Sequence, residues 1–158
     1  MSRLSHVDQE GRARMVDVSG KTPTARTARA EGSLTCRAET VEAVRTGNAP
    51  KGSVLQTAEL AGVVAAKRTA DLIPLCHPVP LTKVAVTIET DDGLPGFRVA
   101  SEVRTIGVTG VEMESLAAVS VACLTLFDML KGIDRTMEIG AIRVTAKEGG
   151  KSGSWTRE

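Results

Sequence analysis

Residues 81–103 read LTKVAVTIETDDGLPGFRVASEV, and this stretch decides the fold. Apolar and polar residues alternate on both sides of the turn at residues 91–96, which is rich in Asp and Gly. A period of two is typical of strands that bury one face, and such a turn joins neighbouring antiparallel strands. We therefore predict a hairpin of strands 81–90 and 97–103 whose apolar face needs a covering layer.

Elements on both sides of this hairpin complete the fold. The patterns predict, in chain order, a strand at 28–36, a short helix at 39–45, a helix at 55–67 capped by Ser53, an apolar helix at 111–130 and a strand at 137–147. The resulting order, β-α-α-β-β-α-β, is that of an α+β domain. We predict a ferredoxin-like four-stranded antiparallel sheet with helices packed on one face.

Length and patterning together predict one domain. The chain has 158 residues, 42% of them hydrophobic, which suffices for one core and is short for two. Residues 1–24 lack a sustained period and are predicted to be flexible. Residues 25–148 form the single α+β domain of this prediction, and residues 149–158 form a Gly-rich tail.

Composition excludes several classes of protein. The 20 basic residues balance 19 acidic ones and aromatic residues make up 2%, which disfavours nucleic-acid and membrane partners. The three cysteines lack a C-x-x-C spacing, so we predict neither a disulfide framework nor a metal site. We find no N-terminal apolar segment and no stretch of the ~20 apolar residues that a membrane span needs. A cytoplasmic protein is expected.

The segment from Lys67 to Pro80 holds a first group of candidate residues. His77 lies in a loop stiffened by prolines, where it is either a base or phosphate ligand or the cap of a loop carbonyl, and the residues alone leave both alternatives open. The pattern favours Cys76 as a small buried hydrophobic residue rather than a nucleophile.

The apolar helix at 111–130 carries a second group at its two ends. Glu112 and Glu114 lie at its start, where Glu112 has a structural explanation as the partner of Thr109 in a capping box. Asp128 lies in the last turn, where its charge opposes the helix dipole, so its placement indicates a function. Lys131, three residues later, shares its face, and a weak surface ion pair between the two is the alternative.

Helix geometry separates these acids. Glu114 and Asp128 are 14 residues apart, which puts them about 21 Å apart along the helix axis. They cannot act on one atom within one chain. Either they contact opposite ends of a large substrate, or different chains complete each site.

A third group consists of lysines next to glycines. Lys51 lies within Pro50-Lys51-Gly52, while Lys147 and Lys151 flank Gly149 and Gly150. A lysine is a suitable point charge for a triphosphate, although plain solvation is the alternative for each of them.

Several long motifs together resemble one known family. They are Met15–Val18, Ala66–Pro78, Gly110–Leu116, Asp128–Met129 with Lys131, and Gly149–Gly153. In order and over nearly the whole chain, they resemble the MoaC family of molybdenum cofactor biosynthesis proteins. The resemblance implies conversion of a cyclised dihydro-GTP, made by an upstream radical enzyme, to cyclic pyranopterin phosphate with release of diphosphate. A non-catalytic nucleotide-binding regulatory domain is the alternative.

The resemblance also implies roles for the candidate residues. Asp128 would be the general acid/base, and Lys131 would tune its charge and contact the substrate. The triphosphate would be held by Lys51, Lys67, Lys147 and Lys151. The purine and ribose end would be lined by Leu75, Cys76, His77, Met113 and Glu114, with Glu112 as a weaker candidate.

The resemblance further implies a homohexamer, a trimer of dimers with sites at the dimer interface. No cofactor is expected beyond Mg²⁺ carried by the substrate phosphates. Two positions depart from the family's pattern: Val108 stands where many members have a basic or polar residue, and Phe127 where tyrosine is common.

Overall fold

A computed structural model describes residues 6–158 of the chain. Its elements are β1 (Thr24–Thr35), α1 (Ala38–Arg45), α2 (Val54–Lys67), α3 (Thr69–Leu72), β2 (Leu81–Asp91), β3 (Gly96–Gly107), α4 (Glu112–Leu130), β4 (Glu138–Glu148) and β5 (Trp155–Thr156). The strands form one antiparallel sheet in the order β2-β3-β1-β4-β5. The α+β prediction is confirmed: four long strands form the sheet, and the two-residue β5 extends its edge.

Alternation along each strand explains which face of the sheet is covered. Ala28, Ala30 and Leu34 of β1 are buried, as are Phe97 and Val99 of β3. Burial of a side chain as large as Phe97 or Leu34 contributes about 1.5–3 kcal/mol. The predicted hairpin is confirmed, with Asp91 paired to Gly96 at its turn.

Two glycines allow the helices to approach closely. A Cβ on Gly32 of β1 would lie 2.7 Å from Cγ1 of Val119, and one on Gly62 of α2 would lie 2.8 Å from the carbonyl oxygen of Ala118. Helix α4 therefore lies directly against both the sheet and α2. Lys51, in the loop before α2, contacts Asp128 near the C-terminal end of α4, and Gly62 faces Ala118 near its middle, so the two helices run antiparallel.

The prediction that no segment is long and apolar enough to span a membrane is wrong for helix α4. It is long and apolar enough, by length and composition, to cross a bilayer, which the sequence reading had excluded for every segment. Nine of its residues are buried in the domain, from Glu114 to Leu130. In this structure it is the central core helix.

The start of α4 also differs from the prediction. Val111 occupies the N-cap position, and in the part of the chain that the structure describes no side-chain hydrogen bond caps the helix there. The predicted capping box of Thr109 and Glu112 is therefore wrong: Glu112 is the first helical residue, Thr109 is not the N-cap, and among residues 6–158 no hydrogen bond joins the two. Ser53 does occupy the N-cap position of α2, but without a side-chain cap hydrogen bond.

Some segments outside the predicted elements have structure. Helix α3 and strand β5 were not predicted, and β1 begins at Thr24, four residues before the predicted strand. Residues 1–5 of the predicted flexible segment 1–24 lie outside the described residues. The division into segment, domain and tail stays a prediction.

Candidate active site

The C-terminal end of α4 brings three predicted residues together. Lys131 Nζ lies 2.7 Å from Oδ1 of Asp128, and Lys51 Nζ lies 3.2 Å from Oδ2. Lys51 also donates to the backbone carbonyl of Asp128 at 3.2 Å. All three side chains are exposed, so a ligand can reach the cluster. Lys51 arrives from the loop before α2, which the antiparallel packing of α2 and α4 places here.

The two lysines determine the charge state of Asp128. Hydrogen bonds from Lys131 and Lys51, reinforced by their positive charge, lower the pKa of the Asp128 carboxyl. At neutral pH this side chain is an ionised carboxylate. It is therefore ready to accept a proton or a hydrogen bond, and it would donate a proton only after taking one up.

The N-terminal end of α4 holds a buried carboxyl group. Glu114 is only 3% exposed, and its Oε1 lies 3.7 Å from Sγ of Cys76. Within residues 6–158 its Oε2 is buried without a hydrogen-bond partner. Such an oxygen costs free energy, which a ligand that bonds to it would recover. Glu114 is thus a candidate binding residue on structural grounds.

Burial sets the protonation of this pair. Desolvation raises the pKa of Glu114, and the charge of Glu112 adds to the effect, while hydrogen bonds from its own backbone amide and from Cys76 oppose it. Desolvation, followed by the nearby Glu114 charge, raises the pKa of Cys76 to about 11. The thiol therefore stays protonated at neutral pH and donates to Glu114. Cys76 is half-buried and hydrogen-bonded, which differs from the small buried hydrophobic residue predicted.

The other predicted substrate-binding residues near Glu114 lie in different surroundings. His77 Nε2 lies 2.6 Å from the carbonyl oxygen of Val16, in the segment before β1. Leu75 is half-buried in the same loop, and Met113 is partly exposed at the start of α4. Lys67 is exposed at the end of α2, the end that antiparallel packing places near Glu114.

Basic residues form a groove beside the start of α4. A cavity of about 500 Å³ is lined by Lys21, Thr22, Thr24, Arg26, Gly150, Lys151 and Ser152. Lys147 lies next to it, hydrogen-bonded to Ser152 and 4.0 Å from Oε1 of Glu112. The groove therefore joins two of the predicted phosphate lysines with two cations that the sequence reading missed.

Arg26 is the more informative of the missed residues. Its guanidinium donates to the carbonyl oxygens of Gly107 and Val108 at 3.0 and 3.3 Å. Arg26 stands two residues before the buried Ala28, so it is in phase with the apolar face of β1. A charged residue at a position that the alternation assigns to the buried face is a signal for a binding residue. It would have identified Arg26 if the predicted strand had begun before residue 28.

The structure does not bring the two ends of α4 together. The helix is continuous from Glu112 to Leu130, so Asp128 and Glu114 remain about 21 Å apart along its axis. Among residues 6–158 there is also no group of three His, Cys, Asp or Glu side chains able to hold a metal ion. Within residues 6–158 the two groups of candidate residues therefore form two separate clusters, one at each end of α4.

Comparison with known proteins identifies the family. The profile of the MoaC family matches residues 15–150. A protein of Methylobacterium sp. (strain 4-46) named cyclic pyranopterin monophosphate synthase is 59% identical over 158 residues, which cover 100% of this chain and 99% of the relative. A Brucella ovis protein of the same name is 60% identical over 153 residues, covering 97% of this chain and 93% of the relative. This chain belongs to the MoaC family.

Proposed function

We propose that this chain is a cyclic pyranopterin monophosphate synthase of molybdenum cofactor biosynthesis. Its substrate would be (8S)-3',8-cyclo-7,8-dihydroguanosine 5'-triphosphate, and its products cyclic pyranopterin phosphate and diphosphate, a lyase reaction at phosphorus. The names of its relatives support this assignment. The observation that carries it is the ionised Asp128 between Lys51 and Lys131, a charged cluster suited to proton transfer beside a polyphosphate.

The chemistry of this reaction fits the available groups. Closure of the cyclic phosphate requires a substrate hydroxyl to attack the α-phosphorus while the bond to the β-phosphate breaks and diphosphate leaves with its electron pair. The hydroxyl proton needs a base, for which the Asp128 carboxylate is suited, and the same group could return it as an acid elsewhere in the rearrangement. Cations offset the charge of the leaving diphosphate.

The other candidates divide between the two ends of the substrate. The triphosphate would be bound by Lys51, Lys67, Lys147 and Lys151, joined by Lys21 and Arg26 of the groove. The pterin and ribose end would be bound by Leu75, Cys76, His77, Met113, Glu114 and Glu112. Mg²⁺ would enter with the phosphates rather than through protein ligands. We place the reaction in the cytoplasm.

Two chains would complete each site. Leu60, Val64, Leu72 and Val121 line a cavity of about 590 Å³ on the outer surface of α2 and α4, and Leu60 and Leu72 are each 64% exposed. An apolar surface of this kind is typical of an interface. Antiparallel pairing of two chains across it would bring the Asp128 end of one to the Glu114 end of the other. We propose a homo-oligomer on this basis, a hexamer built as a trimer of dimers.

Turnover of the cyclic dihydro-GTP substrate tests the activity. We expect the wild type to release diphosphate and form a pterin that fluoresces after oxidation, and Asp128→Asn to bind substrate without turnover. Asp92→Asn is the matched control, because this exposed carboxylate pairs with Arg45 away from the site. If the folded wild type binds the nucleotide and releases nothing, the chain is a regulatory domain instead.

Mixing two inactive variants tests the shared site. Random pairing of Asp128→Asn and Glu114→Gln chains makes half of the dimers mixed, and each mixed dimer has one intact site. Recovery of about a quarter of the wild-type activity is expected when each site draws on two chains. If no activity returns, one chain supplies both Asp128 and Glu114 to each site. Oligomer formation would then not be needed to complete the site.

A further inference from the structure

The contact between His77 and Val16 fixes the chemistry of the imidazole ring. The 2.6 Å separation of Nε2 and the Val16 carbonyl oxygen is a hydrogen-bond distance. A carbonyl oxygen only accepts, so the proton of this bond lies on Nε2. The neutral ring is then the Nε2–H tautomer, and its free lone pair is on Nδ1.

The remaining ring nitrogen is available to a ligand. Among residues 6–158 no hydrogen bond to Nδ1 of His77 occurs, and the ring is half-buried. The neighbouring residue, Cys76, contacts Glu114, whose own Oε2 lacks a partner in the same part of the chain. Within residues 6–158, Nδ1 of His77 in this loop and Oε2 of Glu114 at the start of α4 are therefore both without a hydrogen-bond partner.

We propose that the Val16 carbonyl positions the imidazole ring of His77 and fixes its tautomer, so that Nδ1 is the atom left to accept a hydrogen bond from a hydroxyl or N–H group of the substrate. This inference rests on the proposed function for the identity of the substrate. It makes the segment before β1 part of the site, because the backbone at Val16 decides which ring nitrogen is free. Fixing a histidine tautomer through its second nitrogen is a general way to orient such a ring.

The position of the segment supports this role. Val16 lies within the Met15–Val18 motif and is half-buried. Lys21, five residues later, lines the basic groove. One stretch of chain thus orients His77 and also supplies a cation for the phosphates, so the two ends of one ligand would depend on the same segment.

Histidine NMR tests the tautomer without any substrate. The chain has only two histidines, and a His6→Gln variant leaves His77 as the single remaining signal. With ¹⁵N-labelled histidine at a pH where the ring is neutral, we expect the long-range ¹H–¹⁵N pattern of the Nε2–H tautomer. The Nδ1–H tautomer, or an average of the two forms, would overturn the proposal. Since this measurement needs no turnover, it fails or succeeds independently of the proposed activity.

A pair of variants tests the positioning contact. In His77→Gln the side-chain amide reaches the Nε2 position and can still donate to Val16, whereas in His77→Asn the amide stops at the Nδ1 position. Trypsin cleavage after Lys21 reports how often the segment opens. We expect His77→Gln to match the wild type and His77→Asn to be cleaved about fivefold faster, the factor that one ordinary hydrogen bond is worth. Equal cleavage of both variants would show that the contact does not hold the segment.

Discussion

Asp134 holds the turn that follows α4, next to the Asp128 cluster. The residue is only 1% exposed. Oδ2 accepts hydrogen bonds from the Arg37 amide at 2.9 Å and from the Thr40 hydroxyl at 3.1 Å. Oδ1 accepts from the Thr136 amide at 2.9 Å and from its hydroxyl at 2.7 Å. One buried carboxylate thus joins the start of α1 to the end of α4.

Replacing Asp134 by Asn should be costly. The amide keeps one acceptor oxygen and turns its NH₂ group toward one backbone N–H and one threonine hydroxyl. The hydroxyl can rotate and accept, but the buried backbone N–H is left unpaired and the remaining hydrogen bonds lose their charged acceptor. We expect the free energy of unfolding to fall by about 3–4 kcal/mol. Lys131 lies three residues before Asp134, so the variant should also lower turnover through disorder of this turn.

The pH dependence of stability gives a second signature. Burial disfavours the charged form of Asp134, but the hydrogen bonds from Arg37, Thr136 and Thr40 outweigh it and hold the pKa well below its usual value. The stabilisation is therefore present above the unfolded-state pKa of about 4 and is lost as pH falls below it. The wild type should lose stability steeply below about pH 5, and Asp134→Asn less steeply over the same range.

Urea unfolding followed by circular dichroism measures both effects. The chain concentration is held constant, because association of chains adds to the apparent stability. Asp92→Asn, which changes an exposed carboxylate, is the control. The reasoning is refuted by an Asp134→Asn variant that stays within about 0.5 kcal/mol of the wild type at neutral pH, or by equal pH slopes.

Three further predictions concern packing and the site. Gly62→Ala should lower the free energy of unfolding by about 1–3 kcal/mol despite the better helix propensity of alanine, because the new Cβ meets a backbone oxygen 2.8 Å away. Gly140→Ala is its control in the same urea titration, because a Cβ there would have no atom of residues 6–158 within 4 Å. Arg26→Gln should raise KM about tenfold or more and leave kcat nearly unchanged if the guanidinium binds phosphate, and an unchanged KM in steady-state assays would contradict this. Cys76→Ser should keep turnover, because its hydroxyl can still donate to Glu114. Cys76→Val removes the donor and should lower kcat/KM and shift the pH profile of kcat/KM. Identical pH profiles for the two variants would show that the contact between Cys76 and Glu114 does not affect the reaction.

Local patterns in the sequence determined most of the fold. Alternation predicted the β2–β3 hairpin, and the long apolar run predicted α4 to within one residue at its start. These features follow from which side chains of one element face the core, and that information is contained in a short window. Elements of two or four residues, such as β5 and α3, bury too little to leave such a pattern.

The tertiary structure decided how the candidate residues are arranged. The sequence singled out Asp128, Lys131 and Lys51, but only antiparallel packing of α2 on α4 shows that Lys51 reaches Asp128. In the same way, contacts between distant segments decide the hydrogen bond from His77 to Val16 and leave Oε2 of Glu114 without a partner among residues 6–158. Periodicity reports which residues of an element are buried, whereas pairing across the chain is set by how the elements pack. The residue types of this site were therefore readable from the sequence, and their partners were not.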